Sequence, residues 1–248
     1  MKIKKEVIIG LTVIVILASA FAFFMQGQNK RNRSSFAAHI VDIGNRNPSE
    51  SIESLESSIA LYESRIEQHI KDAAQTGVYW KILAVRFQDK ELHNEALKAL
   101  EQAINYNPLD PALHYLTGVS ASISAKSAHD FNGIINSERD MLYNLAEKAF
   151  LRSIELNEKY LKPRYSLGVL YAFDLNRPED AVPHLLKALE ISRSDVDTMF
   201  VLARSYYMLS SYTEAVEMYD RIIKTTKDKD KLNEAQKNRQ LVMERIYG

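Results

Sequence analysis

The chain has 248 residues, room for one repeat array or one to two compact domains, and its 32 Lys and Arg balance its 32 Asp and Glu, so no net charge points to a nucleic-acid backbone. It has no cysteine, which excludes disulfides, thiolate metal sites, a cysteine nucleophile and a lipid-modified N-terminal cysteine. Eight glycines and six prolines are few for this length and suit a mostly helical chain.

The balance hides an asymmetry. Residues 1–47 carry seven basic side chains (Lys2, Lys4, Lys5, Lys30, Arg31, Arg33, Arg46) against Glu6 and Asp42, a net of +5, which leaves −5 for the remainder. Within this basic end, residues 7–25 form a run of 19 without a charge. As a helix rising about 1.5 Å per residue, that run matches a hydrocarbon layer of about 30 Å. Residues 1–25 therefore read as a cytoplasmic tail and transmembrane anchor. Ala18-Ser19-Ala20 resembles a cleavage site, but the apolar Phe21-Ala22-Phe23-Phe24-Met25 behind it favours retention. Three basic residues precede the span and three follow it, so charge bias barely orients it. A short tail with three lysines is costly to translocate, which puts the bulk of the chain outside the cytoplasm.

Residues 26–47 turn polar and read as a linker, with a short helix predicted around 36–43. Asn47-Pro48-Ser49-Glu50 has the form of a helix start: a cap, a proline in the first turn and Glu three residues on. Ile52, Leu55, Ile59, Tyr62, Ile66, Ile70 and Ala73 then recur at three- and four-residue steps, predicting a helix with one apolar stripe over 48–76. It is either a capping helix or a degenerate half-repeat.

Beyond it the chain repeats itself. Four segments align on Ala96, Ala146, Ala181 and Ala215, at intervals of 50, 35 and 34 residues. In the first, Trp80, Leu83, Ala84 and Phe87 supply the buried face of one helix, Ala96, Leu100 and Ala103 that of the next, and Pro108 ends the unit. The second opens with Tyr115 and Gly118 and resumes at Ala146, Phe150 and Ser153. The third carries Leu167-Gly168 and Tyr171, then Ala181, Leu185 and Ala188, with one extra residue expected near 176–180. The fourth has Met199, Leu202, Ala203 and Tyr206, then Tyr212, Ala215, Tyr219 and Ile222. Small residues at the eighth and twentieth positions let two helix backbones approach, and large ones at the fourth, eleventh and twenty-fourth fill the space around them. Leu232, Ala235, Val242 and Ile246 line a last helix rich in Lys, Arg and Gln, the form of a terminal cap with a wet face.

In period and residue type these segments resemble the tetratricopeptide repeat family, helix–turn–helix units of 34 residues. The resemblance implies an all-α fold: the transmembrane helix, then an α-solenoid of about four repeats with capping helices. The repeats are 77–110, 111–160, 161–195 and 196–228, with a C-terminal capping helix at 229–248. The second departs from the pattern. Gly118 to Ala146 spans 28 residues where Ala84 to Ala96 spans 12, so 16 are inserted. They read either as two lengthened helices joined by a tolerated loop or as a partner-specific arm whose contacts would be Phe131, Ile134 and Ile135.

In this family the first helices line a concave groove, and carrying those positions over gives a partner-binding set of Lys81, Val85, Gln88, Tyr115, Val119, Tyr165, Val169, Phe200, Arg204 and Tyr207, with Ser122 and Ala172 at the remaining twelfth positions. Family members that clamp a peptide's terminal carboxylate pair a Lys with an Asn four residues on. Here Lys81 is followed by Val85, so that mode is not carried over. What remains is an apolar, aromatic strip with a cation near each end, suited to an extended or helical segment presenting apolar side chains.

No catalytic pattern accompanies the repeats. The histidines (His39, His69, His93, His114, His129, His184) are scattered, and there is no His-Glu-x-x-His, no Gly-Lys-Ser/Thr phosphate loop and no Gly-x-Ser-x-Gly. The expectation is a non-enzymatic scaffold without metal or cofactor, binding a protein or peptide and not nucleic acid. Resemblance to bacterial anchored tetratricopeptide proteins implies a single-pass inner-membrane location, an extracytoplasmic array and a role in envelope assembly or secretion. Two other readings stay open: an accessory protein holding a small apolar solute or lipid within the array, and a self-assembling protein whose terminal helices stack between chains.

Overall fold

The computed structural model describes residues 51–128 and 137–248. The expected anchor at 7–25, the linker, the helix start at 47–50 and the insertion contacts Phe131, Ile134 and Ile135 lie outside the described residues. Among the described residues no helix is long and apolar enough to cross a membrane. The chain divides into two units, residues 1–67 and 68–248. Of the first, the described part is the upstream stretch of the first helix, where Ile52, Ile59 and Ile66 are exposed.

Every described regular element is helical: α1 (Ile52–Gln88), α2 (His93–Tyr106), α3 (Pro111–Ser127), α4 (Ser137–Leu156), α5 (Leu161–Val169), α6 (Pro178–Ile191), α7 (Val196–Met208), α8 (Tyr212–Thr225) and α9 (Lys229–Tyr247). Sequence-adjacent helices from α2 to α9 pack pairwise as antiparallel neighbours, and α5 also touches α3 and α7, the near-neighbour contact pattern of a solenoid. Helix starts follow local chemistry. Asp110 caps α3 by accepting from the Ala112 amide at 2.8 Å, with Pro111 at the first helical position. Asp195 caps α7 through the Thr198 amide at 2.8 Å, and Asp228 caps α9 through Asp230 and Lys231.

The small-against-large pattern is what holds each hairpin together. A Cβ placed on Gly118 would lie 2.5 Å from the Phe150 ring, and one on Gly168 would lie 2.4 Å from Leu185. Ala84, Ala203, Ala96, Ala146, Ala181 and Ala215 are fully buried at the equivalent crossings. One core runs from Ala121 through Phe150, Leu167, Leu185, Leu202 and Ile222 to Val242, and a smaller cluster around Leu100 and Leu113 serves the first repeat.

Two expectations need correction. Leu83, assigned to the buried face of the first repeat, is 39% exposed, because no helix pair precedes it in the second unit. The extra residue of the third repeat is not in the turn after α5. In the first and fourth repeats the turn residue with positive φ (Glu91, Ser210) follows the small residue of the first helix (Ala84, Ala203) by seven positions, whereas Asn176 follows Gly168 by eight. The helix absorbs the residue as a π turn over Leu170–Asp174, with the Leu175 amide reaching the Leu170 carbonyl at 2.9 Å. The insertion of the second repeat lengthens α3 and α4 to 17 and 20 residues, against 14 in α2 and α8.

Candidate binding cleft at the C-terminal end of the array

The π turn after α5 and helices α7, α8 and α9 converge on an open cleft of about 340 Å³. Its aromatic wall is Phe173, Phe200 and Tyr207. Leu241 and Val242 of α9 stand opposite, with Glu234 and Asn238 along the polar edge. Phe200 leans edge-on against the buried Tyr219, ring centroids 6.2 Å apart. Burial pushes the Tyr219 phenol above its usual range, with Arg204 pulling it back down, so it stays protonated at neutral pH. Arg204 is exposed, its guanidinium 5.3 Å from the centroid of Tyr207. Stacking of this kind fixes a guanidinium without consuming its hydrogen-bond donors. Tyr207 is held in turn by Tyr212, 5.6 Å away between centroids.

Of the ten residues carried over from the family groove, this cleft gathers Phe200, Arg204 and Tyr207. The other seven lie outside it. Lys81 gives its ammonium to Asp110 at 2.7 Å. Burial alone would raise Asp110, but the Lys81 bond and the Ala112 and Leu113 amides outweigh it and hold the carboxyl below its usual range. Gln88 donates to the Leu116 carbonyl at 3.0 Å and to Ser120 Oγ at 2.7 Å, tying α1 to α3. Val85 is half-buried. Tyr115 packs on Phe150 and Tyr160, at 6.2 and 5.5 Å between centroids. Val119, Tyr165 and Val169 pack half-buried against the main core. Ser122 turns its hydroxyl back to the Gly118 carbonyl, and Ala172 is buried.

Counting back from the positive-φ turn residue explains Ala172. With the π turn absorbed, the twelfth position of the third repeat is Phe173, which is exposed by half and lines the cleft. The α9 residues were also missed, since their polar spacing signals only a cap. Among the described residues no cluster of three His, Asp or Glu side chains is placed to hold a metal ion.

This architecture is a tetratricopeptide-repeat array. Residues 166–230 match the family model described as "Tetratricopeptide repeat". Among curated proteins it is similar to anaphase-promoting complex subunit 3 of Schizosaccharomyces pombe, 27% identical over 145 residues, which is 58% of this chain and 19% of that one. This chain thus matches about a fifth of that relative's length. Among solved structures it is similar to TTC0263, a thermophilic TPR protein in Thermus thermophilus, with 18% identity, a TM-score of 0.55 and coverage of 74% of this chain and 95% of that one. It is also similar to MamA 41-end from Desulfovibrio magneticus RS-1, with 15% identity, a TM-score of 0.53 and coverage of 68% and 94%. These structural likenesses are likenesses of fold.

Proposed function

We propose that this protein is a non-enzymatic scaffold that captures a partner polypeptide in the cleft between α7 and α9. The observation carrying the proposal is Arg204: an exposed cation, stacked on Tyr207, at the mouth of an aromatic cleft. Such a site suits a peptide that inserts an apolar or aromatic side chain between Phe173 and Leu241 and sets a carboxylate on the guanidinium. Asn238 supplies a donor and an acceptor for the peptide backbone. Tyr and Arg are the residue types that most often dominate interface energies.

The uncharged run at 7–25 supports the further reading that the array is tethered to a membrane, in keeping with a role in recruiting a partner to an envelope complex. Peptides selected from a random display library on the full chain are expected to share an aromatic residue next to Asp or Glu. Arg204→Glu should then weaken them at least about tenfold, in line with loss of one charge-assisted contact. Selected peptides that lack acidic residues and bind Arg204→Glu as well as wild type would remove the cleft from the proposal.

A further inference from the structure

The first repeat presents a face that the later repeats keep covered. At the seventh position of each first helix, Thr117, Leu167 and Leu202 are buried, the last two completely, while Leu83 is 39% exposed. Leu83 lies with Trp80 and Phe87 in an open, mainly apolar groove against Ala99 and Gln102 of α2. It is the side on which a preceding repeat would stand. A solenoid end left this way needs a cap with a polar outer face.

Two features say what covers it. Within the second unit, Ala73, Thr76, Trp80, Leu83 and Phe87 follow one another along α1 by alternate steps of three and four. That spacing averages about 3.5 residues, the period at which a seam stays turned towards a second helix laid along the first. At the rim, α2 carries Lys98 between Glu95 and Glu101, and none of the three has an ion-pair partner among the described residues. A face with both signs of charge around one apolar seam is its own complement about a two-fold axis. Lys98 of each copy then meets Glu95 or Glu101 of the other. The far end of the array is more polar: α9 turns Lys229, Asp230, Asn233, Gln236, Lys237 and Gln240 to solvent, and its exposed large apolar side chains, Leu241, Ile246 and Tyr247, lie in its last two turns.

We infer that the α1–α2 face is an isologous interface on which a second copy of this chain docks head to head, the two α1 helices antiparallel. The pairing leaves both Arg204 clefts free, so one dimer presents two partner sites.

The chain's lack of cysteine makes the test clean. Full-length Leu83→Cys, purified in mild detergent and oxidised, is expected to form a disulfide-linked dimer, because a residue near a two-fold axis meets its own counterpart. Lys224→Cys on α8 should not. In sedimentation experiments Lys98→Glu should weaken the dimer about tenfold or more, and so should the Glu95→Lys, Glu101→Lys double variant. Mixing the two variants should restore a mixed dimer. Retained helical circular dichroism and peptide binding at the Arg204 cleft would show that both variants are folded, which separates this inference from the proposed function. The inference is overturned by a wild-type chain that stays monomeric at about 100 μM, or by a dimer indifferent to both Lys98→Glu and Leu83→Arg. A Leu83→Cys chain that crosslinks in cells to a different protein and not to itself overturns it too.

Discussion

His184 lies beside the ring of Tyr171, 5.8 Å between centroids, in the side-chain layer joining the π turn to α6. Burial lowers its pKa from the ordinary 6.5, Arg164 lowers it further, and Asp180 only partly opposes them. A histidine held neutral stabilises the fold fully above its unfolded value. That contribution is lost as pH falls through the depressed folded value, because the unfolded chain takes up the proton first. Urea-unfolding free energy is therefore expected to hold level from about pH 8 to 7 and to decline below about 6.5. His184→Gln should flatten that decline, and an unchanged slope in the variant would assign it elsewhere. Asp110 acts in a lower window. Its carboxyl is lowered, so its share persists down to about pH 4 and disappears in stronger acid. Neither environment was legible in the sequence. Lys81 reads as a groove cation by position, and the Asp110 that neutralises it stands 29 residues away, beyond the reach of any periodic argument.

Each hairpin depends on a crossing where one side chain is nearly absent. The alternation of Gly118 with Phe150 and of Gly168 with Leu185 was legible, because it sets the residue sizes that recur along the chain. The register of α5 was not. One extra residue between Gly168 and Ala181 fits the length of a loop or of a helix equally well, and only the hydrogen bond from Leu175 to Leu170 distinguishes them. The π turn exchanges the roles of two adjacent residues, burying Ala172 and exposing Phe173. Ala172→Leu should therefore destabilise the fold by about 1–3 kcal/mol through overpacking. Phe173→Ala should change stability by less than about 1 kcal/mol while weakening peptides selected on the cleft. Thermal melts and titration calorimetry on the two variants read the difference, and the opposite assignment would return α5 to a regular α-helix.

Stability in a stacked array is close to a sum of units and the interfaces between neighbours, so the last helix matters beyond its own length. α9 is polar enough that its sequence reads as a cap and nothing more, yet it buries Ala235 and Val242 against α8 and supplies one wall of the cleft. Two ion pairs dock it. Arg239 meets Asp220 at 2.6 Å, and Lys231 meets Asp197 at 2.6 Å across a gap of 34 residues. Both are largely exposed and contribute at most about 1 kcal/mol each, so apolar burial holds the helix in place. Ending the chain after Thr226 would uncover Phe200, Tyr219 and Ile222 together and leave Arg204 without an opposing wall. The expected result is a Tm lowered by roughly 10 °C, since about 1 kcal/mol moves a domain of this size by about 2–4 °C, together with complete loss of peptide binding. Replacing Lys231 and Arg239 by Ala in the full chain should cost only a few degrees and leave the peptide affinity nearly intact. If the double substitution matched the truncation in both respects, electrostatic docking and not the apolar wall would be what α9 brings to the molecule.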